Sequence, residues 1–266
     1  MIYYKTDDEI ELMRMSCTLL SKTLAHVASL LKPGITGLEV DRAAEVFIRD
    51  HDGAIPGFKG LYGFPGTLCI STNAAVVHGV PTNREFEEDD IVSIDCGVLM
   101  NEFYGDSAYT FAFNGISGEV EKLLSVTKKA LYLGIDQARV GNRVGDIGYS
   151  IQDFAEKQHG FGVVRDLVGH GLGKDLHESP EVPNYGKRGK GVQLKDGLVI
   201  AIEPMINLGN KAVKKAPDGT ILSKDNMPSA HYEHTIAVRT DGPDILSNHE
   251  WVEEEIKKNS EIRQIQ

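Results

Sequence analysis

Two parts of the sequence share one pattern, and that repeat restricts the fold more than any other feature. Residues 7–31 place Ile10, Leu12, Met13, Leu19, Leu20, Leu24, Val27 and Leu31 at near-helical spacing before Lys-Pro-Gly stops the run. A second helical pattern over 38–50 ends at His51-Asp52-Gly53. Both recur: GEVEKLLSVTKKALYLGIDQA from Gly118 repeats the first, and VGDIGYSIQDFAEKQHG from Val144 repeats the second. Gly34, Phe47 and Gly53 match Gly141, Phe154 and Gly160 at a constant offset of 107 residues. Residues 91–95 then align with 199–203 at an offset of 108, so each half is expected to end a buried strand with a carboxylate, Asp95 or Glu203. The repeat predicts an α+β fold of two pseudo-symmetric αβ halves, with antiparallel sheet around a central cleft. We expect one domain over residues 1–250 and a charged C-terminal tail over 251–266, read as a frayed helix.

Composition narrows the function. With 41 % hydrophobic and 25 % charged residues, and no apolar run of membrane-spanning length, the chain reads as a soluble enzyme and not a membrane protein. The start, MIYYKTDDEIELM, places acids where a secretory signal has a basic end and an apolar stretch, so a cytoplasmic location is expected. Cys17, Cys69 and Cys96 form no CxxC pair and are expected as buried reduced thiols. A net charge of −11 opposes specific nucleic-acid binding, although Lys187, Arg188, Lys190 and Lys195 form a local basic patch.

Further strands are expected at 67–72, 104–113 and 231–239. Strands 91–98 and 104–111 are close enough for a hairpin, and a tip at Met100-Asn101 sets Asp95 directly across from Asp106. Cross-strand side chains stand about 4.5–5.5 Å apart, so two bare carboxylates there need a cation. The flanking Ile91, Val92, Ile94 and Val98 argue for burial. Glu203 likewise ends an apolar run and precedes Pro204. In HYEHTIAV, alternation sends Glu233 to one face and His234 to the other; an acid-rich site selects Glu233 and leaves His234 structural or solvent-facing. His170 sits among Gly169, Gly171 and Gly173, which would let backbone crowd close to the imidazole. Asp95, Asp106, His170, Glu203 and Glu233 together carry a charge of about −4. Two divalent ions balance it, and an oxygen-rich set with one histidine suits Mn, Fe(II), Co or Zn. The chemistry implied is metal-assisted hydrolysis.

The segments CISTNAAVVHGVP, IVSIDCGVLMNEFYGDSAYTF, LVGHGLGKDLHESPEV, VIAIEPMI and YEHTIAV together resemble the bacterial type I methionine aminopeptidases, metallopeptidases of the pita-bread fold. The resemblance covers about residues 5–245. It implies removal of N-terminal methionine from nascent proteins and peptides, with Asp95 a bidentate ligand of one metal, Asp106 and Glu233 bridging, and His170 and Glu203 on the other. It also implies that His78 contacts substrate, that His177 contacts the scissile carbonyl, and that Glu203 shuttles a proton to the leaving amine. The methionine pocket maps to Phe58, Leu61, Phe64, Cys69 and Leu176. Phe58 stands where a cysteine is frequent, Leu61 where a tyrosine is and Leu176 where a phenylalanine is; all remain apolar, as a thioether pocket requires. The tryptophan often found before the last ligand strand is missing, and the sole Trp251 lies in the tail.

Two alternatives stand beside this reading. Xaa-Pro aminopeptidases share the five ligands and the fold, but that family usually carries a substantial domain ahead of the catalytic one, and only a few dozen helical residues precede the cleft here. A non-catalytic, ribosome-associated module on the same fold has no reason to keep four acids that are costly to bury. Lys187, Arg188 and Lys190 are the residues expected to dock such a chain, or the enzyme, at the ribosome; a monomer is expected.

Overall fold

The computed structural model describes residues 1–265. Helix α1 (Asp7–Leu30) starts at a capping box in which Thr6 and Glu9 bond each other's backbone N–H groups, and α2 (Gly37–Arg49) repeats that device with Thr36 and Glu39. Strands β1 (Leu68–Thr72), β2 (Ile91–Met100) and β3 (Phe103–Ala112) form an antiparallel sheet with β2 central. The second half begins with α3 (Gly118–Ile135) and α4 (Val144–Gln152), the latter running into a π-helical turn over Asp153–Gln158. Strands β4 (Gly169–Gly171), β5 (Val199–Ile202), β6 (Ser229–His231) and β7 (His234–Arg239) follow. In the larger second sheet β5 lies between β4 and β7, as β2 lies between β1 and β3.

The repeat is therefore physical. Gly34 and Gly141 both take the left-handed backbone, at φ 86° and 94°, and so do Gly53 and Gly160, at 75° and 77°. These are the turns that begin and end the second helix of each pair, where a side chain is disfavoured. One core cluster runs from Ile10 to Ile262 through both helix pairs and both sheets. No helix among the described residues is long and apolar enough to cross a membrane.

Several details depart from the sequence reading. The hairpin turns at Asn101-Glu102, both with positive φ (55° and 66°), as a two-residue turn between twisted strands requires. The register is displaced by two residues: Asp106 faces Gly97, and Asp95 faces Ala108. A shift of two preserves parity, so both aspartates stay on one face as diagonal neighbours. Asp95 lies in the middle of β2 rather than at its end, whereas Glu203 does follow the last residue of β5. The expected strand 231–239 breaks at Tyr232-Glu233. The charged C-terminal stretch forms helix α5 (Glu250–Lys258), docked on α1 with Val252 and Ile256 buried. All three cysteines are free and buried.

Candidate metal centre

The two halves are joined where β3 meets residues 231–235, and that seam places the acids. Thr110 Oγ1 donates to the His231 carbonyl (2.7 Å) and accepts from the His231 N–H (2.9 Å). Thr235 Oγ1 makes the same reciprocal pair with Asp106, at 2.7 and 3.2 Å. Ser107 Oγ donates to the Glu233 carbonyl, and the Glu233 N–H donates to the Ala108 carbonyl. Three hydroxyls thus satisfy backbone groups where no regular ladder exists, and they hold Asp106 against Glu233. The β5–β7 ladder stops at His234 facing Ile202. Its next pair would be Glu203 against Glu233, two like charges that destabilise direct pairing.

One cavity of about 300 Å³ is lined by Asp95, Asp106, His170, Glu203 and Glu233. His170 Nε2 is 3.8 Å from Asp106 Oδ2 and 3.6 Å from Glu203 Oε1. Donor atoms of Asp106, His170 and Glu233 lie within 4.8 Å of one another. Gly169 and Gly171 bring strands together instead of crowding the imidazole: a Cβ at Gly169 would stand 2.3 Å from the Ala201 carbonyl oxygen, and one at Gly171 2.4 Å from that of Ser179.

Burial pushes the Asp95 and Glu203 carboxyls up to about 7. It raises Asp106 and Glu233 well above the carboxylate range, and neighbouring carboxylates add to the rise. Burial also lowers His170, which favours the neutral imidazole that ligates metal. Asp95 Oδ1, Asp106 Oδ1 and Glu233 Oε1 are buried without a hydrogen-bond partner. Native interiors leave few such atoms, and scattered ones. Three in one cavity, beside a neutral imidazole, are donors that fit divalent cations.

The other end of the cavity is apolar. Phe58, Cys69 and Leu176 form a buried cluster apart from the main core, with Leu61, Phe64 and Tyr104 packed on it. Gly97 makes room for the aromatic ring, since a Cβ there would lie 2.4 Å from Phe58 Cε1. His78 and His177 line the cavity on its solvent side, both exposed, and the His177 ring lies 4.5 Å from that of His170. The structure thus gathers all twelve residues singled out from the sequence into one cavity.

Three neighbours were not foreseen. Tyr104 contributes from β3, and exposed Tyr62, at φ 50°, stacks 6.0 Å from His177. His231, only 1 % exposed, brings Nε2 to 3.4 Å from Glu203 Oε2. Strand alternation holds the clue to His231, which shares parity with Glu233. His234 faces away, as alternation demands, but is buried and not solvent-facing.

Known proteins resemble this chain over most of its length. The pattern of metallopeptidase family M24 matches residues 11–240. The methionine aminopeptidase of Clostridium perfringens is 50 % identical over 248 residues, covering 93 % of this chain and 99 % of the relative. The crystal structure of methionine aminopeptidase from Rickettsia prowazekii superposes with a TM-score of 0.90 at 37 % identity, over 93 % of this chain and 100 % of that one. The prolidase from Pyrococcus furiosus, at 21 % identity and TM-score 0.75, shares the fold, and this chain spans 65 % of its length. Near-complete coverage in both sequence and structure assigns this chain to metallopeptidase family M24, a family of hydrolases, and within it to the bacterial-type methionine aminopeptidases.

Proposed function

We propose that the chain removes methionine from the N-termini of nascent proteins and peptides in the cytoplasm, with two divalent ions held by Asp95, Asp106, His170, Glu203 and Glu233. One observation carries the reading: the unpaired acids and the Phe58–Cys69–Leu176 cluster share a single cavity, so a side chain seated in the apolar end presents its backbone to the acids. Co, Mn, Fe(II) and Zn all suit the donor set. When bound, such ions supply Lewis acidity and a nucleophilic water at neutral pH.

The chain's own residues do the rest. Phe58, Leu61, Phe64, Cys69 and Leu176 take the unbranched thioether side chain and exclude water from it. His177 and His78, on the open side, donate hydrogen bonds to the substrate, His177 to the carbonyl oxygen on which charge develops. Glu203 moves the proton from attacking water to leaving amine. The test is to assay Met-Ala-Ser against Ala-Pro-Ala with added divalent metal. We expect cleavage of the first; cleavage of the second alone would make the chain an Xaa-Pro aminopeptidase. Lys187, Arg188 and Lys190 are exposed on one loop, which supports ribosome docking. Charge reversal of the three should reduce cosedimentation with ribosomes, and an unchanged pellet would discard that part.

A further inference from the structure

We propose that His231 is a second imidazole ligand of the metal centre, paired with Glu203 as His170 is paired with Asp106, with Glu233 common to both sets. The inference rests on the metal reading above and extends its ligand set. Two three-donor groups occur among the described residues, Asp106–His170–Glu233 and Glu203–His231–Glu233, and in each the donor atoms lie within 4.8 Å of one another. Each group offers one imidazole, and Glu233 belongs to both.

The state of the ring argues against a plain core histidine. A buried imidazole in a core ordinarily has its nitrogens hydrogen-bonded. His231 is 1 % exposed, and its Nε2, although 3.4 Å from Glu203 Oε2, lacks hydrogen-bond geometry to any group. The Thr110 hydroxyl grips the His231 N–H and carbonyl together, and Met205 pairs with it across the β6 ladder, so the backbone is fixed from both sides. The ring is pre-positioned with an open nitrogen facing carboxylates. A cation between them would satisfy that nitrogen and the orphaned Glu233 oxygen at once.

The chemical consequence is a centre with two nitrogen donors instead of one. Imidazole favours Co(II), Fe(II) and Zn(II) over the carboxylate-preferring Mn(II). His231 therefore tilts metal selectivity in that direction.

The full-length chain, stripped of metal and reloaded with two equivalents of Co(II) alone, gives a test by X-ray absorption that needs no mutation. Both histidines bound gives about one imidazole nitrogen per cobalt. An average of half overturns the proposal, since His170 alone would then ligate. Calorimetric titrations of the wild-type, His170→Gln and His231→Gln proteins with Co(II) and Mn(II) complete it. His231→Gln should weaken one Co(II) site by more than the roughly 10- to 100-fold that loss of a mere outer-shell partner costs, with a smaller loss for Mn(II). Loss of affinity in His170→Gln but not in folded His231→Gln refutes the role of His231 and leaves the metal centre standing. A wild-type chain that takes up no Co(II) overturns both readings.

Discussion

Glu233 and His234 are adjacent, each 1 % exposed, and they face opposite environments. On the Glu233 side, three carboxylate oxygens and one imidazole nitrogen are buried without partners. On the His234 side, Nδ1 meets Ser247 Oγ at 2.6 Å and Nε2 meets Tyr132 Oη at 3.3 Å. There the ring lies 3.8 Å from that of His249, tilted by 31°, and the His249 Nε2 meets Ser107 Oγ at 3.0 Å. Only His249 Nδ1 lacks a partner in that second cluster. The difference separates the two uses of buried polarity. A group satisfied by the fold contributes to stability, whereas a set left unsatisfied destabilises the fold until a ligand arrives.

The comparison breaks most visibly at Asp106. Replacing it with Asn should lower kcat/KM on a Met-Ala-Ser peptide on the order of 10³-fold or more, because under the proposed function it removes a ligand from ions that supply several kcal/mol to the transition state. Turnover retained with full metal content would remove Asp106 from the ligand set. The same variant, unfolded by urea in a chelator, should be about 0.5–2 kcal/mol more stable than the wild type, since it removes a carboxyl whose ionised form burial and its neighbours disfavour and which folding must otherwise protonate. A less stable variant would mean that the acids are already compensated.

The opposite sign is expected across the strand. Ser247→Ala leaves His234 Nδ1 and the Thr235 N–H without partners, and should cost about 1–3 kcal/mol with kcat/KM unchanged. A neutral result would place water, rather than the fold, in charge of that cluster. The smallest effect is a pH dependence. Burial, reinforced by the neighbouring His234, holds His249 well below the ordinary histidine range in the folded protein, while in the unfolded chain it titrates near about 6.5. Below that pH the unfolded chain binds the extra proton, so stability falls as pH falls, by up to about 1.4 kcal/mol per unit. Urea midpoints at pH 7.5 and 5.0 should therefore diverge less in His249→Gln than in the wild type; equal slopes would show that His249 is not the titrating group.

Much of the site was legible because it rests on parity and repetition. The offset between residues 91–95 and 199–203 announced two equivalent central strands, and alternation separated Glu233 from His234. Parity also protected the inference about Asp95 and Asp106: the hairpin tip was misplaced by one residue and the register by two, yet a shift of two leaves both carboxylates on the same face. The expected β-strand through 231–239 failed because alternation says nothing about where like charges would end a ladder. Helix α5 was underestimated because its charges are visible in sequence, while the α1 surface that receives Val252 and Ile256 is not.

By itself the sequence determined the helix pairs, the central strands, the face of each strand and the acids and histidine that line the cavity, all properties of local period or composition. The tertiary structure alone decided that Thr110 and Thr235 stitch β3 to residues 231–235, that Gly97 accommodates Phe58, and that His231 turns an open nitrogen toward Glu203. The stitches join positions more than a hundred residues apart, and the Gly97–Phe58 and His231–Glu203 contacts also lie beyond any local repeat. Such pairings depend on which surfaces pack together, and no local periodicity encodes them.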